Sequence, residues 1–149
     1  TLHLSQINQL LEAVKYFSEN KIGSIIVLER TTPLGSYTES GTKIDSNIDK
    51  RLLMSIFNPA SPLHDGAVII QHNRISAAGC ILPVEEVAER GFLGTRHISA
   101  VKLSEETDAL VIVTSEETGK ISIAEEGKLY EGVSLEELRR KIERNFHPR

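Results

Sequence analysis

The 149 residues are 40% apolar and 26% charged, a globular balance that excludes bulk disorder and fits one domain with a single core. Aromatic residues are only 5% and tryptophan is missing, so Ile, Leu, Val and Ala must build that core. A formal net charge of −4 excludes a global basic field for nucleic acid, while a local pocket for a small anion stays allowed, with divalent cations expected beside it.

Leu4, Ile7, Leu10, Leu11, Val14 and Phe17 recur at helical spacing and predict an amphipathic helix over 3–20, with Ser5 as a possible cap and Lys21 and Gly23 at its end. Residues 24–29 read as a buried strand. Residues 30–47 are polar, rich in Thr, Ser and Gly, and read as a long connection with a short strand near Tyr37. Leu52, Leu53, Ile56 and Phe57 predict a helix over 48–58, stopped by Asn58-Pro59 and Ser61-Pro62. Strands follow at 66–71 and 74–82, joined by His72-Asn73, a two-residue hairpin signal. Cys80, the only cysteine, sits among Ala, Gly, Ile and Leu; it forbids an intrachain disulfide and reads as packing.

Residues 85–92 read as a short helix and 96–106 as a longer one, with Thr95 as candidate cap. A buried strand is expected at 109–115, then a turn at 116–119, a strand at 120–125, a turn at Glu126-Gly127 and an edge strand at 128–131. Ser134 with Glu137 forms the capping-box signature of a last helix, 135–144. The sum is one α+β domain over 1–149, a mixed central sheet flanked by helices, with the N-terminal helix packed on it. No apolar run approaches the ~20 residues of a membrane helix, and no basic-then-apolar leader opens the chain, so neither a span nor a signal peptide is expected within it. The chain opens on Thr1 rather than Met, which leaves room for a preceding anchor or regulatory segment.

Three segments carry unusual chemistry. In Pro59-Ala60-Ser61-Pro62-Leu63-His64-Asp65-Gly66-Ala67, two prolines stiffen the backbone before a polar pair and a glycine, just where a loop enters a strand. A rigid scaffold can hold a reactive carboxylate there, although His-Asp-Gly is also plain turn chemistry. In Gly94-Thr95-Arg96-His97, a hydroxyl and two potential cations open a helix. Free amides at a helix start attract anions, Thr95 can donate to a phosphate oxygen, and Arg96 can clamp two. The alternative is a capped helix with a solvated first turn, which those cations oppose. Ser115-Glu116-Glu117-Thr118-Gly119 ends the buried strand with two carboxylates, either a metal- or ribose-facing edge or a polar hairpin turn. No P-loop, dinucleotide GxGxxG, Cys/His zinc spacing or GxSxG elbow occurs.

In this order the segments resemble the diadenylate cyclase domain. Its D-G-A motif is matched at Asp65, Gly66 and Ala67, with Pro62-Leu63-His64 before it and Val68-Ile69-Ile70 after it. Its R-H-R motif after Gly-Thr is matched at Arg96 and His97, and Ser115 to Gly119 with the following Ile121-Ser122-Ile123-Ala124 is similar as well. Residues 22–29 and 37–41 are similar to the family's first strand and following loop, so the likeness covers most of the chain.

The resemblance implies a cytoplasmic enzyme that condenses two ATP molecules into cyclic di-AMP and two pyrophosphates, with two copies of the domain face to face in a homo-oligomer. Asp65, Gly66 and Ala67 would be catalytic, Asp65 acting at the attacking 3′-hydroxyl. Thr95, Arg96, His97, Ser115, Glu116 and Glu117 would bind the nucleotide and its phosphates, and His64 would hold Mg²⁺ or Mn²⁺ together with them. The second arginine of R-H-R is replaced by Ile98, which cannot donate to phosphate; this feature favours the alternative of a weak or inactive module that binds ATP or cyclic di-AMP. A soluble branch of the family, found in spore-forming bacteria, fits best.

Overall fold

A computed structural model describes residues 2–83 and 94–146. The short helix expected at 85–92 lies outside the described residues. The elements are α1 (Leu4–Asn20), β1 (Ser24–Leu28), α2 (Gly35–Thr38), β2 (Thr42–Asn47), α3 (Lys50–Phe57), β3 (Ala67–Gln71), β4 (Arg74–Cys80), α4 (Thr95–Glu106), β5 (Leu110–Thr114), β6 (Ile121–Glu125), β7 (Lys128–Glu131) and α5 (Leu135–Phe146).

Among the described residues seven strands form one mixed sheet in the order β2-β4-β3-β1-β5-β6-β7. β1 and β3 are parallel, in register Ile26 with Val68, and every other neighbouring pair is antiparallel. β1 and β5, at the centre, are buried along their whole length, which is why they read as unbroken apolar runs.

The sheet has a core on each face. One holds α1, α3 and α5 through residues such as Leu10, Phe17, Phe57, Leu138 and Ile142; the other holds α4 through Ala100 and Leu103 against Val27, Val111 and Val113. Phe17 and Phe57 meet edge to face at 5.4 Å, joining α1 to α3. Among the described residues no helix is long and apolar enough to cross a membrane.

Local chemistry explains most boundaries. Lys21 closes α1 in the left-handed conformation, with the Ile22 amide bonded to the Phe17 carbonyl at 2.9 Å. α1 begins at Leu4 with His3 as its cap residue, so Ser5 lies inside the helix. Asp49 caps α3 by accepting from the Leu52 amide at 3.0 Å. His72 and Asn73 both take positive φ, 50° and 64°, the geometry of a tight hairpin. Ser134 and Glu137 exchange backbone-to-side-chain bonds at 3.2 and 3.1 Å, completing the capping box of α5.

Two further expectations are corrected. Tyr37 lies in the short helix α2, not in a strand, and its hydroxyl donates to Glu106 at 2.9 Å. The strand of this region is β2, a polar edge strand broken by Asp45 at φ 55°, where Arg74 bonds Asp45 at 2.7 Å. A mostly exposed edge needs no apolar alternation, so periodicity had nothing to report there. The cap residue of α4 is Gly94, which has no side chain to cap with, and Thr95 is the first helical residue.

Candidate active site

The topology brings distant segments to one end of the sheet. Because β1 and β3 are parallel and β5 runs against them, the starts of β1 and β3 lie beside the end of β5, Ser24 pairing with Thr114. The end of β4 joins them, with Cys80 opposite Ala67. The first turn of α4 faces this edge, and a cavity of about 800 Å³ opens between them.

All ten residues singled out in the sequence line this one cavity: His64, Asp65, Gly66, Ala67, Thr95, Arg96, His97, Ser115, Glu116 and Glu117. Asp65 and Arg96, thirty-one positions apart, therefore share a wall-to-wall space. Sequence reasoning missed the apolar wall made by Ile25, Cys80, Ile81 and Leu82, and the hydroxyls of Ser99 and Thr114. Ser99 stands one helical turn after Thr95, so the helix period was the available signal. Ile81 was hidden by its strand-like context, yet it is 71% exposed.

The loop before β3 is stiff. The Ser61 hydroxyl accepts from the Leu63 amide at 3.1 Å, and Nδ1 of His64 donates to the Ser61 carbonyl at 2.7 Å. A carbonyl can only accept, so the neutral ring keeps its lone pair on Nε2. Asp65 is exposed, and its carboxylate has no hydrogen bond or ion pair among the described residues. Gly66 is required by packing. A Cβ there would stand 2.5 Å from the Gly79 carbonyl carbon and 2.9 Å from the Cys80 amide nitrogen, so the close approach this glycine permits is to β4.

At the opposite wall the α4 amides have no side-chain cap from Gly94, and the first turn holds no acidic residue. Arg96 and His97 there add positive charge where the helix dipole is already positive, an arrangement that an anion stabilises. The Arg96 side chain is 21% exposed and pairs with Glu116 Oε1 at 3.5 Å. Burial lowers the pKa of His97 from its ordinary value; Glu131 and Glu117 pull it up and Arg96 pushes it down. Ile98 is buried and does not line the cavity.

Ser115 spends its acceptor capacity on the turn, taking bonds from the Glu117 and Thr118 amides at 3.1 and 3.2 Å and leaving its own proton to give. Ser18, in the last turn of α1, holds the same turn from outside through a 2.6 Å bond to the Gly119 carbonyl. Behind the cavity the Thr114 hydroxyl donates to the Ile22 carbonyl at 2.8 Å and accepts from Ser24, locking β1 to β5. The Cys80 thiol is pushed up to about 11 by burial and stays protonated.

Among the described residues no three of His, Cys, Asp and Glu converge as a metal cage. His64, whose ring is oriented by a backbone carbonyl, and the uncommitted Asp65 carboxylate on the same wall fit a cation that takes its remaining ligands from phosphate and water.

Fold and cavity together define an α+β domain with a pocket of nucleotide dimensions, lined by both cationic and acidic side chains. The family described as the DisA bacterial checkpoint controller nucleotide-binding domain, abbreviated DAC, matches residues 11–129, and the chain belongs to it. It is 41% identical over 143 residues to the cyclic di-AMP synthase CdaA of Bacillus subtilis, covering 94% of this chain and 52% of that protein. It is 44% identical over 126 residues to the cyclic di-AMP synthase CdaS of the same organism, covering 85% and 61%. The chain thus spans about half to three-fifths of these relatives. The crystal structure of a DacA double mutant from Staphylococcus aureus superposes with a TM-score of 0.91 at 41% identity over 96% of both chains.

Proposed function

We propose that this domain is a diadenylate cyclase that joins two ATP molecules into cyclic di-AMP. The observation that carries the reading is the meeting of three separate segments, 64–67, 94–97 and 115–117, around one cavity. Two named cyclic di-AMP synthases among the relatives support it.

The triphosphate lies against the start of α4. The free amides, the Thr95 hydroxyl and the Arg96 guanidinium donate to its oxygens, and Glu116 yields Arg96 to the phosphates. The apolar wall at Ile81 and Leu82 takes the flat face of the base. Asp65 accepts from the ribose 3′-hydroxyl and orients it, its carboxylate being uncommitted. His64, together with the nucleotide, would hold Mg²⁺ or Mn²⁺, which would supply charge neutralisation of the triphosphate.

One cavity of about 800 Å³ suits one nucleotide, so the partner ATP comes from a second copy whose cavity faces this one. Each 3′-oxygen forms a bond to the other α-phosphorus. Each α–β phosphoanhydride breaks and pyrophosphate leaves, while the two hydroxyl protons pass through the Asp65 carboxylates to solvent. Positioning and charge neutralisation carry the rate, with no covalent intermediate on the protein.

Ile98 favours the alternative reading of a binding module without turnover. Its burial away from the cavity supports the enzyme instead, because the wall that meets the phosphates is complete without it. The test is incubation with ATP and Mn²⁺ followed by mass spectrometry. Cyclic di-AMP is expected from the native chain and none from Asp65→Asn, which keeps its fold and its affinity for ATP. Tight ATP binding with no product over hours would establish the module, and an equally active Asn variant would remove Asp65 from its role.

A further inference from the structure

Gly23 precedes β1 and does not line the cavity. A Cβ built on it would lie 2.6 Å from Arg96 Nη1, 2.7 Å from Arg96 Cζ and 3.2 Å from Nη2, and these are its three nearest atoms. The guanidinium therefore rests on bare backbone. Gly23 has no positive φ, so the conformation itself would accept a side chain. Gly66 differs, since the obstacle there is the backbone of β4. At position 23 the obstacle is the cationic end of a single side chain.

This floor is rigid. The Ile22 carbonyl on one side of Gly23 accepts from Thr114, and the Ser24 hydroxyl on the other side bonds the same threonine. Nη1 of Arg96, the atom nearest the Cβ position, also pairs with Glu116 at 3.5 Å. The end of a long, flexible, charged side chain thus meets both a bare glycine and a carboxylate at Nη1.

We propose that Gly23 is a positioning residue for the triphosphate: its missing side chain makes the seat on which Arg96 presents its guanidinium to the phosphates. The proposal rests on the reading of Arg96 as a phosphate ligand. A methyl group at position 23 must push the guanidinium about 1 Å to regain ordinary contact distance, which spoils its geometry toward the phosphates.

The experiment uses the 149-residue chain and four versions of it: native, Gly23→Ala, Arg96→Ala and the double variant. Binding of 3′-deoxy-ATP, which lacks the attacking hydroxyl, and of adenosine is measured by calorimetry, and thermal unfolding is followed in parallel. Gly23→Ala is expected to weaken 3′-deoxy-ATP about tenfold or more, leave adenosine unchanged and unfold at the native temperature. In the Arg96→Ala background the Gly23 substitution should have no further effect, because the two act through one group. If Gly23→Ala fails to fold, Arg96→Ala must rescue it, and a double variant that also fails overturns the proposal. Equal loss of adenosine and 3′-deoxy-ATP binding in Gly23→Ala overturns it too, as does full 3′-deoxy-ATP binding by Gly23→Ala when Arg96→Ala binds poorly. Unchanged binding in Arg96→Ala itself removes the phosphate reading on which the proposal stands.

Discussion

Replacing Gly66 by alanine places a methyl carbon 2.5 Å from the Gly79 carbonyl carbon, 2.6 Å from Gly79 Cα and 2.9 Å from the Cys80 amide nitrogen. Ordinary carbon contacts begin near 3.5 Å, so the start of β3 and the end of β4 must part by about 1 Å. No rotamer relieves this, because the obstacle is backbone. Overpacking of this kind costs about 1–3 kcal/mol, which lowers the melting temperature by roughly 2–12 °C in a domain of this size. Asp65 is the neighbouring residue and moves with the strand start, and a 1 Å shift of a reacting group costs on the order of 100-fold in kcat. The α4 wall is untouched, so 3′-deoxy-ATP should bind within about threefold of the native chain. Cyclic di-AMP formation by mass spectrometry, calorimetric binding and thermal unfolding together form the assay. A Gly66→Ala variant with native kcat and a melting temperature within 1 °C would show that β3 and β4 yield freely, and would refute the account of this loop.

His97 is held below its usual pKa by burial, so the folded chain binds fewer protons than the unfolded chain between the lowered value and about 6.5. Stability should therefore fall as pH drops through that window, and His97→Gln should flatten the slope in thermal scans. A triphosphate beside the ring favours the charged form, so Mg-ATP binding near pH 6.5 should take up protons, visible as a dependence of calorimetric enthalpy on buffer; the uptake should vanish in His97→Gln. With its pKa near 11, Cys80 should react slowly with iodoacetamide at pH 8 in the folded chain and quickly in urea, and 3′-deoxy-ATP should slow it further because Cys80 lines the cavity.

The central elements were legible because burial writes itself as pattern. The unbroken runs of β1 and β5, the helical spacing in α1 and the paired signals of Ser134 with Glu137 needed only local reading. β2 was not legible, because it is a mostly polar, exposed edge paired to β4, with Ile44 alone packed on the core. The site residues could be picked from three short segments, since prolines, an uncapped helix start and a carboxylate turn are all locally odd. Their meeting could not be read locally. It depends on the parallel pairing of β1 with β3, which brings loops forty to ninety residues apart to one sheet end. Gly23 escaped for the same reason, because its meaning lies in a guanidinium seventy-three positions away.

The Ser18 hydroxyl on the Gly119 carbonyl makes the N-terminal helix a strut under the carboxylate turn. Leverage applied to α1 would arrive at Glu116 and Glu117 through this joint, while Asp65 hangs from the stiff loop between α3 and β3. A tug on the first helix would therefore skew the two carboxylates against the aspartate instead of carrying the whole cavity along.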